Sequence, residues 1–123
     1  MTQVVKVLNA ILLWPIWRRQ SLAMRKRSAS SLESFIAQFP KARIEAVEVW
    51  NALRTVAVVD GFSPDPKDDL LRMYGLVDDD LDEMLEEILV RLGYRLPTPE
   101  DTRGAKPVTS VEDAVEFLSV WRS

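Results

Sequence analysis

The chain has 123 residues, 47% of them apolar and 28% charged, which suits one modest folded domain with an appendage rather than a disordered or membrane-embedded chain. It contains no cysteine, which excludes disulfides, thiolate nucleophiles and thiolate metal sites, and no histidine, the usual general base near neutral pH and the commonest metal ligand. The net charge of −3 conceals an asymmetry: residues 1 to 32 carry six bases (Lys6, Arg18, Arg19, Arg25, Lys26, Arg27) and no acid, while the remainder carries ten bases against nineteen acids, so a basic leader precedes an acidic body.

The first element is an apolar, helix-compatible run from Val4 to Trp14, after which Pro15 removes a backbone donor and predicts a break or kink. Interrupted by Lys6, Asn9 and Pro15, the run is too short to span a bilayer, which takes about 20 apolar residues. Most of its charges follow the apolar stretch and no small-residue cleavage site is evident, so it does not read as a secretory signal, and the expected location is the cytoplasm. Ser28 to Ser31 reads as a linker ending in a helix cap, with Ser30 or Ser31 supplying the hydroxyl. A short helix follows, with Leu32, Phe35, Ile36 and Phe39 at helical spacing and Pro40 as its end.

From Lys41 to about Val59 there is no glycine or proline, and Ile44, Val47, Val49, Trp50, Leu53, Val56 and Ala57 predict a long helix with a broad apolar face. Asp60-Gly61 stops it, and Ser63-Pro64-Asp65-Pro66 is loop by composition. Lys67 to Tyr74 can form a short helix with Leu70, Leu71 and Tyr74 inward and Gly75 as its stop. The best-patterned element comes next: Leu81, Met84, Leu85, Ile88, Leu89 and Leu92 mark one face of a helix that Gly93 ends. Asp78, Asp79 and Asp80 stand at its start, where carboxylates can cap free N–H groups and meet the positive end of the helix dipole. Pro97 to Pro107 leaves room for at most about one helical turn. Thr109-Ser110-Val111-Glu112 then fits a capping box, with Val111, Ala114, Val115, Leu118 and Trp121 as the buried stripe behind it. No strand pattern competes and no internal repeat is present, so the expected class is all-α.

The order of these elements resembles an acyl carrier protein over about residues 43 to 121. Asp79-Asp80-Leu81-Asp82 stands where that family has its Asp-Ser-Leu attachment motif. Leu92-Gly93-Tyr94-Arg95-Leu96-Pro97 resembles the end of the second helix, and Thr109-Ser110-Val111-Glu112-Asp113-Ala114-Val115 resembles the start of the last. The resemblance implies an acyl-carrier-like helical bundle over residues 41 to 123, preceded by a basic, apolar N-terminal helical extension over residues 1 to 40. In the family, phosphopantetheine is attached to the serine, and here Asp80 takes that place. A carboxylate cannot form the same phosphodiester, so no phosphopantetheine is expected. The chain resembles carrier-like proteins of unassigned function that lack the serine. The resemblance also implies that Asp79, Asp80, Asp82, Glu83, Glu86 and Glu87 form a surface that docks a protein partner through its basic patch.

Other readings of the same residues are weaker. The acids do not have the alternating ligands, central glycine and closing glutamate of an EF-hand loop, so no metal site is expected. Acids on the outside of a helix lack the pocket that acid–base catalysis needs, so no catalytic residue is assigned. A solvated acidic face that keeps the domain soluble is the plain alternative to docking. Trp14 and Trp17 with Arg18-Arg19 suit a helix packed on the core or on a second protein, or one lying on a membrane surface through residues 1 to 28. Arg25-Lys26-Arg27 is too little, beside an acidic body, to predict nucleic-acid binding. Two further alternatives are a genuine carrier modified at Ser63 or Ser110 and a peripheral membrane protein.

Overall fold

The computed structural model describes the backbone of residues 2 to 27 and 31 to 122, and the side chains of residues 13 to 27 and 31 to 122. Among these residues the protein is all-α, with seven helices and no strand. Helix α1 (Thr2–Lys26) runs unbroken through Pro15. The break expected there does not occur, because proline removes only the one hydrogen bond its missing N–H would make, and the turns on either side sustain the helix. Ser28 to Ser30, predicted as linker, lie outside the described residues.

Helix α2 (Leu32–Ile36) starts from Ser31, whose hydroxyl accepts the N–H of Ser34 at 3.2 Å while Ser34 Oγ accepts the Ser31 N–H at 3.1 Å. This reciprocal cap satisfies two otherwise orphaned donors. It places Phe35 at the centre of an aromatic cluster, with ring centroids 5.2 Å from both Phe39 and Trp50. Helix α3 (Arg43–Val56) carries that tryptophan and buries Ala46, Val49, Trp50 and Leu53. It ends earlier than predicted, at Val56, and the chain then turns so that the N–H of Val59 reaches Gln20 Oε1 at 2.9 Å. Ile44 and Val56, expected on the inner face, are exposed, because the face that meets α2, α5 and α7 is narrower than the apolar content of the segment suggests.

Helix α4 (Leu70–Tyr74) is shorter than predicted. The residues before it pair with the approach to the last helix: Leu70 N–H donates to Thr109 O at 2.9 Å and Val111 N–H to Asp68 O at 3.0 Å. Asp69 caps α4, Leu70 and Tyr74 are buried, and Leu71, expected inward, is exposed. Gly75 ends the helix with φ +71°, a left-handed conformation that few residues besides glycine adopt readily.

Helix α5 (Asp78–Leu92) follows its pattern: Leu81, Met84, Leu85, Ile88 and Leu89 are buried, and Gly93 closes it in the left-handed region. Its cap differs from the expectation. The residue before the helix is Val77 and no side chain caps it, so Asp78, Asp79 and Asp80 occupy the first turn itself, where they meet the helix dipole without capping bonds. Helix α6 (Pro99–Thr102) is the single turn expected within the proline-bounded loop.

Helix α7 (Val111–Val120) buries Val111, Ala114, Val115 and Leu118 against α3 and α5, with Trp121 partly buried beyond its end. Its capping box is one residue later than predicted. Ser110 rather than Thr109 is the cap, and Asp113 rather than Glu112 reaches back to it. Glu112 instead pairs with Lys67 at 3.2 Å. The antiparallel contact between Asp69 and Ser110 fixes this register, because it holds Ser110 in the extended conformation that a cap requires.

Burial pushes the Asp113 carboxyl up, but the backbone N–H groups of Thr109 and Ser110, the Thr109 hydroxyl and Lys106 outweigh it and hold the group at about 2. Folding therefore lowers this pKa, and the stabilisation is complete above the ordinary carboxylate range and lost as pH falls from about 4 towards 2. Urea midpoints measured across that window will fall less steeply in Asp113→Asn than in the wild type. At neutral pH, Ser110→Ala will cost about 1 kcal/mol.

Candidate functional site

The acids of α5 are placed by the phase of its apolar residues. With Leu81, Met84, Leu85, Ile88 and Leu89 committed to the core, Asp78, Asp79, Asp80, Asp82, Glu83, Glu86 and Glu87 are left on the outside, and all seven are exposed. Among the described residues none of the seven forms an ion pair. The helix stands as a ridge between two open grooves. Asp80, Glu83 and Glu87 rim one of about 500 Å³, whose floor includes Ala52, Val56, Met84 and Ile88. Asp78, Asp82 and Glu86, spaced one helical turn apart, rim the other, of about 710 Å³, between α5 and the segment 96 to 109, with Leu85, Leu89 and Phe117 in its floor.

This arrangement joins apolar floor to acidic rim on both sides of one helix. It fits a partner that brings basic side chains together with apolar ones. Trp14 and Trp17 are not part of it: they stand exposed on α1 and line neither groove. Asp80, the residue at the expected attachment position, is the third residue of α5 and faces solvent at the edge of the first groove. Among the described residues, no group of acids is positioned to hold a metal ion.

Two charged clusters escaped the sequence reading. Asp68, 5% exposed, accepts bonds from Arg27 through both carboxylate oxygens, from the Tyr74 hydroxyl at 2.8 Å and from the backbone N–H of Asp65 at 3.0 Å. Burial, and then the charge of Asp68 beside it, pushes the Tyr74 phenol well above its ordinary range, so it remains a hydrogen-bond donor. Glu45, fully buried, accepts from Arg122 Nε at 2.8 Å and from the Tyr94 hydroxyl at 3.1 Å. Each cluster is a carboxylate held by an arginine and a tyrosine. For Glu45 a signal existed, since it falls one turn before Val49 on the buried face of α3. For Asp68 none did, because nothing local separates it from Asp65 and Asp69.

The fold and surface define an all-α protein with an acidic ridge and a helical extension clamped to its side. Comparison with protein-family models, with curated proteins and with solved structures finds no match.

The buried clusters predict the sensitive positions. Asp68→Ala removes the anchor of Arg27 and leaves an arginine and a phenol without their acceptor, and will cost about 3 kcal/mol in urea unfolding. Limited proteolysis of the same variant will cut α1 faster. By contrast, Glu83→Gln on the exposed ridge will change stability by no more than about 0.5 kcal/mol.

Proposed function

We propose that this protein is a non-catalytic interaction module that docks a basic protein partner through the acidic ridge of α5, on a fold akin to that of acyl carrier proteins but without their attachment chemistry. The observation that carries the reading is the set of seven exposed carboxylates without an internal cation among the described residues. Six of them rim grooves with apolar floors. A charged surface of this kind raises the rate of encounter with an oppositely charged partner and rejects like-charged ones, while the apolar floor supplies contact area once the partner has arrived.

The absence of an acyl cargo follows from Asp80. Attachment of phosphopantetheine needs a hydroxyl at the start of α5, and a carboxylate there offers none. Of the two alternative serines, Ser63 and Ser110, Ser110 is engaged as the cap of α7, its hydroxyl accepting the Asp113 N–H at 3.1 Å. The reading as a non-enzyme rests on the same geometry: acid–base work needs a carboxyl shielded from water, and those of α5 face solvent.

Two measurements test this reading. After co-expression with a phosphopantetheinyl transferase, the intact mass will show no added arm, and a quantitative shift would refute the carrier-without-cargo reading. The partner that co-purifies with the native protein will bind Asp82→Lys/Glu86→Lys roughly tenfold or more weakly, and the wild-type affinity will fall with added salt. Equal, salt-insensitive binding by wild type and variant would place the interaction elsewhere.

A further inference from the structure

Ten of the described side chains of residues 13 to 27 fall into three strips, and Pro15, Arg19, Ser21, Leu22 and Lys26 lie outside them. Ile16, Gln20, Ala23 and Arg27, at helical spacing, face the domain: Ile16 rests over Gly75, Gln20 Nε2 donates to Met73 O at 2.8 Å, and Arg27 reaches Asp68. Beside them lies an apolar strip, Leu13, Trp17 and Met24, whose residues are 40%, 48% and 40% exposed. Beyond that comes Trp14, Arg18 and Arg25 at the same spacing, with the Arg18 guanidinium 5.6 Å from the Trp14 ring centroid. Among the described side chains, the contacts that hold α1 fall at Ile16 and later. The part of the helix before them, Thr2 to Pro15, is roughly 20 Å long.

The two outer strips differ across the width of the helix: one is apolar, and the other carries an indole and two guanidinium groups. A helix lying in the plane of a leaflet meets the acyl boundary with its apolar side and the anionic headgroups with the bases beside it, while indole rings favour the zone between.

We propose that α1 is a membrane-surface anchor that holds the domain on an anionic phospholipid leaflet, with Leu13, Trp17 and Met24 at the acyl boundary and Arg18 and Arg25 on the phosphates. Charge complementarity selects this occupant. Residues 1 to 32 contain no acid, so the α1 helices of two copies would repel each other, whereas each base near an anionic leaflet adds attraction. The acidic grooves of α5 in a second copy fit less well, because Asp78, Asp82 and Glu86 run along the groove and would set carboxylates against the apolar half of α1. No helix among the described residues is long and apolar enough to cross a membrane, so the contact is interfacial.

Flotation of the full chain with phosphatidylcholine vesicles, alone or containing phosphatidylglycerol, tests this. The protein will float with the anionic vesicles and not with the neutral ones, and raised salt will release it. Arg18→Gln/Arg25→Gln will weaken partitioning roughly thirtyfold, and Trp14→Ala/Trp17→Ala about tenfold or more. All four side chains are exposed, so thermal unfolding of both variants will match the wild type and exclude misfolding as the cause. The proposal is overturned if the chain stays unbound with anionic vesicles at low salt, or if either double variant floats as well as the wild type. It is equally overturned if sedimentation shows a dimer that the same substitutions abolish while no vesicles bind.

Discussion

Asp68 is the residue at which α1, α4 and the start of α7 are tied together, the first two through its carboxylate and the last through its carbonyl. Arg27 reaches the carboxylate from the end of α1, Tyr74 from α4 and the N–H of Asp65 from the preceding turn, while the carbonyl of the same residue receives the N–H of Val111 at the start of α7. Removing a carboxylate from water this completely costs several kcal/mol unless a cation and hydrogen bonds replace the solvent. Here they do, and the replacement works only if α1 and α4 are both in place. Arg27 also stacks over Phe62, 5.0 Å from its centroid, so the ion pair is joined to the apolar core rather than perched above it. Gln20 provides a second clamp along the same strip, its buried amide bridging Met73 and Val59.

Glu45 is held by the same residue types but through one oxygen: Arg122 and Tyr94 both donate to Oε1 and so bring the chain beyond α7 and the chain beyond α5 back to α3, while the buried Oε2 has no hydrogen-bond partner among the described residues. The remaining ion pairs, Glu48 with Arg91, Asp101 with Arg95, Glu112 with Lys67 and Asp113 with Lys106, also consume acids inside the domain. The outer face of α5 is where acids accumulate without such partners among the described residues. Its apolar stripe explains why: a helix that commits Leu81, Met84, Leu85, Ile88 and Leu89 to the core must put its other residues in water, and here most of those are acidic. The charge asymmetry of the sequence thus becomes a spatial one, with a basic helix on the side of the domain and an acidic ridge on its face.

Much of this was legible because it depends on local periodicity. The inner residues of α5 and the stops at Gly75 and Gly93 were read correctly from spacing and composition. The exposure of the acids was also expected. Trp14 and Trp17 were compatible with packing on the core, and the structure leaves both exposed instead. The grooves beside α5 were not foreseen, because their far walls come from α3, α4 and the segment 96 to 109. Where two neighbours carried the same chemistry, the reading slipped. Thr109 and Ser110 both offer a hydroxyl and Glu112 and Asp113 both a carboxylate, so only the pairing of Ser110 with Asp69 decides which of them caps α7. Leu70 and Leu71 were indistinguishable for a similar reason, since a helix of little more than one turn has no period to read.

The sequence by itself determined which segments are helical, where α4 and α5 stop and which acids of α5 face solvent, because glycine stops and apolar spacing act within a turn or two of the chain. The tertiary structure alone decided which charges are buried and whether α1 survives Pro15. Asp68 and Glu45 lie inside because Arg27 and Arg122 come to them across 41 and 77 residues of sequence. The burial of a charge depends on partners that only the folded chain brings within reach.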